Sequence, residues 1–194
     1  MSTSRVRYAH AVICRSLGQA VKWKWTTENF AKDAFPPGVK RTVATAPSPE
    51  EQAQILTATS RRSAQMTALF ALLVLTGARQ GEGLAVQWCE HDAAANVVMI
   101  SKSIAYTAEA GIFEKPTKTY RMRKVSVDEI MESLIVSQIE ALQNNVEAGF
   151  DLVADPYLFF GSPDGSIPMH PDTPSKMFRK VRGELGFPYH LHQE

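Results

Sequence analysis

Cysteine is scarce in this sequence. Cys14 and Cys89 are the only two, far apart and in no metal-ligand spacing. That argues against a disulfide-stapled scaffold and a zinc-finger module, and the expectation is two reduced, buried thiols. An excess of either charge is also missing: 21 Lys and Arg stand against 20 Asp and Glu, a net charge of +1. A uniformly basic nucleic-acid surface is thereby excluded, so any such surface must come from local clustering. Long apolar runs are missing too. The longest, Ala68–Leu75 (ALFALLVL), is far short of a membrane span. The opening MSTSRVRYAHAV has no apolar signal-peptide core. These absences predict a soluble, cytoplasmic protein with no membrane partner. What is present is a 44% hydrophobic content, enough for a real core.

Periodicity predicts a mixed fold, mainly α with a small antiparallel β-sheet. Val6, Ala9, Val12, Ile13, Leu17, Ala20 and Val21 recur at helical spacing, so Thr3–Trp25 reads as one helix. Pro36-Pro37-Gly38 breaks the chain, and residues 36–47 read as an interdomain linker. Ser48-Pro49-Glu50-Glu51 opens a helix, with Ser48 as cap and Glu51 closing a capping box. A further helix over Ala64–Leu75 stops at Gly77, and a short one is expected from about Gly81 to Gln87. Strand signals follow at Val97–Ile104, Ile112–Phe113 and Arg121–Val127, with Val125 and Val127 on one face. Asp128–Ala148 and Asp172–Leu185 read as the closing helices, ended at Gly149 and Gly186.

Three clusters carry candidate chemistry. In Thr76-Gly77-Ala78-Arg79-Gln80-Gly81-Glu82, an arginine follows a helix stop and an acid lies one helical turn on. A guanidinium never deprotonates and donates in pairs to phosphate oxygens, so Arg79 is either an anion contact oriented by Glu82 or half of a surface ion pair. In Lys115–Lys124, five of ten residues are basic: Lys115, Lys118, Arg121, Arg123 and Lys124. Placed on a β-hairpin, they either contact DNA phosphates or protect a sheet edge, and a lysine there can protonate a leaving alcohol. The third, His190-Leu191-His192, has no metal spacing around it and reads by itself as an exposed tail.

In this order the clusters resemble the boxes of the tyrosine recombinase, or phage integrase, family. TGARQGEGLAVQW resembles the first box, which implies a catalytic Arg79 supported by Glu82. EKPTKTYRMRKVSV resembles the hairpin with the catalytic lysine, best matched by Lys118 with Lys115 as competitor. HLHQ resembles the opening of the His-x-x-Arg box, which implies a role for His192. The helix and KWKWTTENFAKD resemble the end of the core-binding domain.

The resemblance implies residues 1–35 as the tail of a core-binding domain and 48–194 as the N-terminal part of a catalytic domain. It implies duplex DNA and other recombinase protomers as partners, with no metal or cofactor. In such enzymes a tyrosine attacks a DNA phosphate and forms a phosphotyrosyl link. Arg79 would neutralise non-bridging oxygens, Lys118 would protonate the leaving 5′-oxygen, and His192 would join the acid/base group. The box arginine would fall just past Glu194. Tyr8, Tyr106, Tyr120, Tyr157 and Tyr189 all precede the box, so none matches the nucleophile. The expectation is a fold incomplete at the C-terminus, from a truncated or split reading frame, and an inactive integrase. The competing expectations are a DNA-binding module that interferes with an intact recombinase, or an unrelated small α/β domain.

Overall fold

The computed structural model describes residues 2–38, 46–117 and 122–189. Most of the linker expected at 36–47 lies outside them, as do Lys118, Tyr120, Arg121 and His192. The chain divides into two units, Met1–Ala44 and Thr45–Glu194.

In the first unit, helix α1 spans Thr3–Lys22, capped by Ser2, whose hydroxyl accepts from the Arg5 amide. It stops before Trp25, where the sequence predicted its end, because Lys24 turns the chain with a φ of 61°. A single turn of 3-10 helix, Phe30–Asp33, folds back on α1. The Asn29 amide donates to the Cys14 carbonyl at 2.7 Å, and His10 Nε2 lies 2.8 Å from the Ala31 carbonyl. No side chain of α1 is buried, and Val12, Ile13, Trp23 and Trp25 stay exposed.

In the second unit, helix α2 covers Pro49–Ser60. Its capping box forms as the sequence predicted: the Ser48 hydroxyl accepts from the Glu51 amide, and the Glu51 carboxylate accepts from the Ser48 amide at 2.7 Å. Helix α3, Ala64–Thr76, is apolar on every side and buries Met66 through Leu72, so it forms the centre of the unit. It ends at Gly77, whose φ of 62° suits a residue without a Cβ. Helix α4 is one turn, Gln80–Leu84, and starts and ends earlier than expected. The chain leaves it to pair with the segment around Tyr157, where the Leu158 amide donates to the Val86 carbonyl at 3.0 Å.

Among the described residues five strands follow: β1 His91–Asp92, β2 Val97–Ile100, β3 Lys102–Thr107, β4 Gly111–Pro116 and β5 Arg123–Ser126. All pairings among the described residues are antiparallel, β1-β2-β5 in one sheet and β3-β4 in another. The strand predicted at Val97–Ile104 is interrupted at Ser101. Ile100 pairs with Arg123, while Lys102 pairs with Pro116. Among the described residues β4 and β5 therefore form no hairpin with each other. β4 and β5 both pair with the preceding chain, on either side of the break.

Helix α5, Glu129–Glu147, is capped by Asp128 and buries Met131, Ile135, Gln138 and Leu142 along one stripe. Helix α6, Asp172–Leu185, buries Pro174, Phe178 and Val181. Met66, Leu69, Leu72, Leu84, Val98, Met131, Ile135, Leu158 and Phe159 belong to one hydrophobic cluster, which joins α3, α4, the sheet and α5. Ile55, Phe70, Phe178, Val181 and Tyr189 form another, between α2, α3 and α6. The expected mixed, mainly helical fold with a small antiparallel sheet is the observed one.

Candidate functional site

After Gly77 the backbone extends, and Arg79 (φ −70°, ψ 150°) occupies the N-cap of α4. The Arg79 amide donates to Glu82 Oε2 at 3.1 Å, which satisfies a donor at the helix start. Neighbours fix this single turn from several sides. The Gln80 side chain donates to the Pro171 carbonyl, and the Ser175 hydroxyl donates to Gln80 Oε1 at 3.1 Å. Gly81 packs so closely on β3 that a Cβ there would lie 2.5 Å from the Ile104 carbonyl oxygen.

Glu82 is therefore deep: its side chain is 1% exposed, whereas that of Arg79 is 55% exposed. Arg79 Nη1 donates to Glu82 Oε1 at 3.0 Å. Arg123, the first residue of β5, donates through Nη2 to Glu82 Oε2 at 2.7 Å. Two guanidiniums thus share one carboxylate, and the group carries one net positive charge. The sequence left open a surface ion pair for Arg79 and Glu82. The acid is instead a buried anchor, and the arginine reaches from it to solvent.

Burial by itself would raise the Glu82 pKa. Donation from Arg123, from the Arg79 amide and from the Arg79 guanidinium outweighs burial and holds the carboxyl below its ordinary value of 4.5. A depressed folded pKa stabilises the fold fully above the unfolded value, and the contribution is lost as pH falls through the folded one. Wild type and Glu82→Gln are therefore expected to differ most in urea midpoint near neutrality. The gap should narrow below about pH 4.5. Chemical denaturation of both proteins between pH 7 and pH 3 checks this, and a constant gap would exclude an ionised Glu82.

The other expected site residues are placed unequally. Lys115 is exposed and pairs with Ser103, whose hydroxyl packs beside Gly81, so it lies on the hairpin face turned toward α4. Lys124 is exposed and alternates with Arg123, so it points to the opposite face of the sheet. Lys118, Arg121 and His192 lie outside the described residues. The sequence made Arg123 one of the expected DNA contacts; its guanidinium donates to Glu82, with the side chain 36% exposed. The signal was available, since Arg123 shares strand parity with Val125 and with the buried Val127.

A thiol expectation needs correcting. Cys14 is half-buried, but Cys89 is exposed. The Cys89 thiol donates to Asp155 Oδ2 at 2.9 Å, because its backbone is fixed beside the Asp155 loop. That hydrogen bond, with burial, pushes its pKa up to about 11. Among the described residues no group of three or more His, Cys, Asp or Glu side chains is placed to hold a metal ion. No described helix is long and apolar enough to cross a membrane.

Neither a family model nor a curated protein sequence matches this chain. Solved structures do. The Tn1549 transposon integrase in complex with transposon right end DNA superposes with a TM-score of 0.74 at 16% identity, over 100% of this chain and 61% of that one. A lambda integrase dimer bound to a COC′ core site gives a TM-score of 0.58 at 16% identity, over 93% of this chain and 45% of that one. XerA recombinase gives 0.54 at 17% identity, over 79% and 47%. This chain spans about three fifths of the length of the Tn1549 integrase structure it matches. With its mainly helical architecture and small antiparallel sheet, the chain has the tyrosine recombinase fold.

Proposed function

We propose that this chain is the phosphate-binding part of a site-specific DNA recombination module of the tyrosine recombinase type, acting on double-stranded DNA in the cytoplasm. The observation that carries the reading is a half-exposed Arg79 held on a buried Glu82, on the fold of DNA integrases. A guanidinium fixed in this way donates to a phosphodiester without first losing much freedom. Lys115, Lys118, Arg121 and Lys124 add backbone contacts. Lys118 and His192 are the proton-transfer candidates that the resemblance supplies. Residues 1–35 belong to a core-binding unit, 36–47 to a linker and 48–194 to a catalytic domain. Other recombinase protomers are partners in this reading; lambda integrase has been solved as a dimer on a core site and as a tetramer on a Holliday junction.

In this reading the hydroxyls of Tyr157 and Tyr189 are tied to carboxylates and the resemblance matches no tyrosine of the chain to the nucleophile, so the chain binds DNA without cutting it. Its affinity should be modest, largely independent of sequence and steeply dependent on salt. With Arg79, Lys115, Lys118, Arg121 and Lys124 on phosphates, binding should weaken by about five-hundredfold between about 50 and 200 mM salt. Mobility-shift titrations at those two salt concentrations test this. Tight, salt-insensitive binding would point to another interface, and absence of binding at low salt would reject the reading.

A further inference from the structure

We propose that Arg123 is a positioning residue for Arg79, acting through the carboxylate the two share. The inference rests on the phosphate role proposed for Arg79. Glu82 is 1% exposed, and both of its oxygens are engaged. Oε1 takes Arg79 Nη1, while Oε2 takes Arg123 Nη2 and the Arg79 amide.

A glutamate held only by its own helix turn keeps freedom about its terminal torsion. A donor from a second element removes it. Arg123 supplies that donor from a fixed point, because its backbone pairs with Ile100, a core residue of β2. The carboxylate plane is therefore set by α4 and β5 together, and Oε1 is aimed at the Arg79 guanidinium. Lys124 cannot take over this role, since it points away from Glu82.

Charge gives a second argument. The second guanidinium offsets the cost of keeping Glu82 ionised away from water. The Arg79 side chain is 55% exposed and that of Arg123 is 36% exposed, so Arg79 is the outer group and Arg123 the inner one.

The test is a set of fluorescence-anisotropy titrations of a labelled duplex with the full 194-residue chain, over a range of salt concentrations. Thermal melts confirm that each variant is folded. Arg79→Ala should weaken binding by about tenfold near 0.1 M salt and flatten the salt slope by about one contact. Arg123→Ala should show a loss of the same kind although it removes no phosphate contact of its own. Arg123→Lys should recover part of it, because an ammonium still reaches Glu82. The deciding measurement is the double variant, Arg79→Ala with Arg123→Ala. It should bind within about twofold of Arg79→Ala, with the same slope.

A further loss of about tenfold with a second drop in slope would make Arg123 a phosphate contact in its own right and overturn the positioning role. Wild-type affinity in Arg123→Ala would overturn it as well. If Arg123→Ala does not fold, Arg123→Lys and its combination with Arg79→Ala carry the same comparison. Failure of the Arg79 reading is visible separately, as wild-type affinity in Arg79→Ala with Arg123 intact.

Discussion

A suicide duplex that traps cleavage intermediates is expected to yield no covalent adduct with this 194-residue chain, at any protein concentration. The reason lies in where its tyrosines are. A phenol becomes a nucleophile when its proton is removed easily beside the phosphate. Tyr157 is 7% exposed, and its hydroxyl donates to Glu114. Burial and that carboxylate push its pKa far up. Tyr189 donates to Glu51 Oε2 at 2.8 Å, and this hydrogen bond, with burial, raises its pKa as well. Both hydroxyls are tied to carboxylates that disfavour the phenolate. Tyr106 packs against His170 with ring centroids 4.4 Å apart and the rings tilted by 57°, and the resemblance matches neither Tyr106 nor Tyr8 to the nucleophile. Tyr120 lies outside the described residues, and the resemblance matches it to no nucleophile. Loss of a nucleophile removes the covalent step itself, so the expected yield is zero rather than a reduced rate. Denaturing gels with peptide mapping read the outcome. A phosphotyrosyl peptide from any of these positions would reject the prediction, and Tyr189 is the first to inspect.

Gly81→Ala is expected to destabilise the second unit strongly. A Cβ at this position would lie 2.5 Å from the Ile104 carbonyl oxygen and 2.6 Å from the Ser103 hydroxyl. Neither can step aside cheaply. Ile104 is 4% exposed, and β3 is paired with β4 along its whole length. Forcing a methyl into such a contact costs about 1–3 kcal/mol. For a unit of this size that lowers the melting temperature by roughly 2–12 °C. The shift would also move α4, and with it Glu82, away from Arg123. DNA affinity should fall together with stability.

Two other glycines serve as controls. At Gly83 the nearest atom is the tip of the Leu73 side chain at 2.8 Å, which can rotate, so the loss should be smaller. At Gly183, in the interior of α6, nothing lies within 4 Å, and alanine should stabilise by about 0.5–1 kcal/mol through helix propensity. Calorimetry on the three variants ranks them. A Gly81→Ala protein that melts with the wild type would show that α4 does not press on β3.

What could be read from the sequence was local. The capping box of Ser48 and Glu51, the stop at Gly77 and the Asp128 cap of α5 each involve groups within one helical turn, so their residue types announce them. The spacing of Arg79 and Glu82 was legible for the same reason. One-turn and two-residue elements were harder: α4 was shifted by a few residues, and β1 went unnoticed. Such short pieces carry too few side chains to show a period.

The sequence by itself determined the mainly helical class, the capped helix starts at Ser48 and Asp128, the stop at Gly77, and the spacing of Arg79 from an acid one turn on. The tertiary structure decided how deep that acid lies and which further residue reaches it. Arg123 meets Glu82 across 41 positions, and Pro171 meets Gln80 across 91. It also decided that β4 and β5 pair with β3 and β2 rather than with each other. Burial and long-range pairing are set by how whole elements pack around α3. A residue's charge is written in its own side chain, but its exposure depends on everything folded over it.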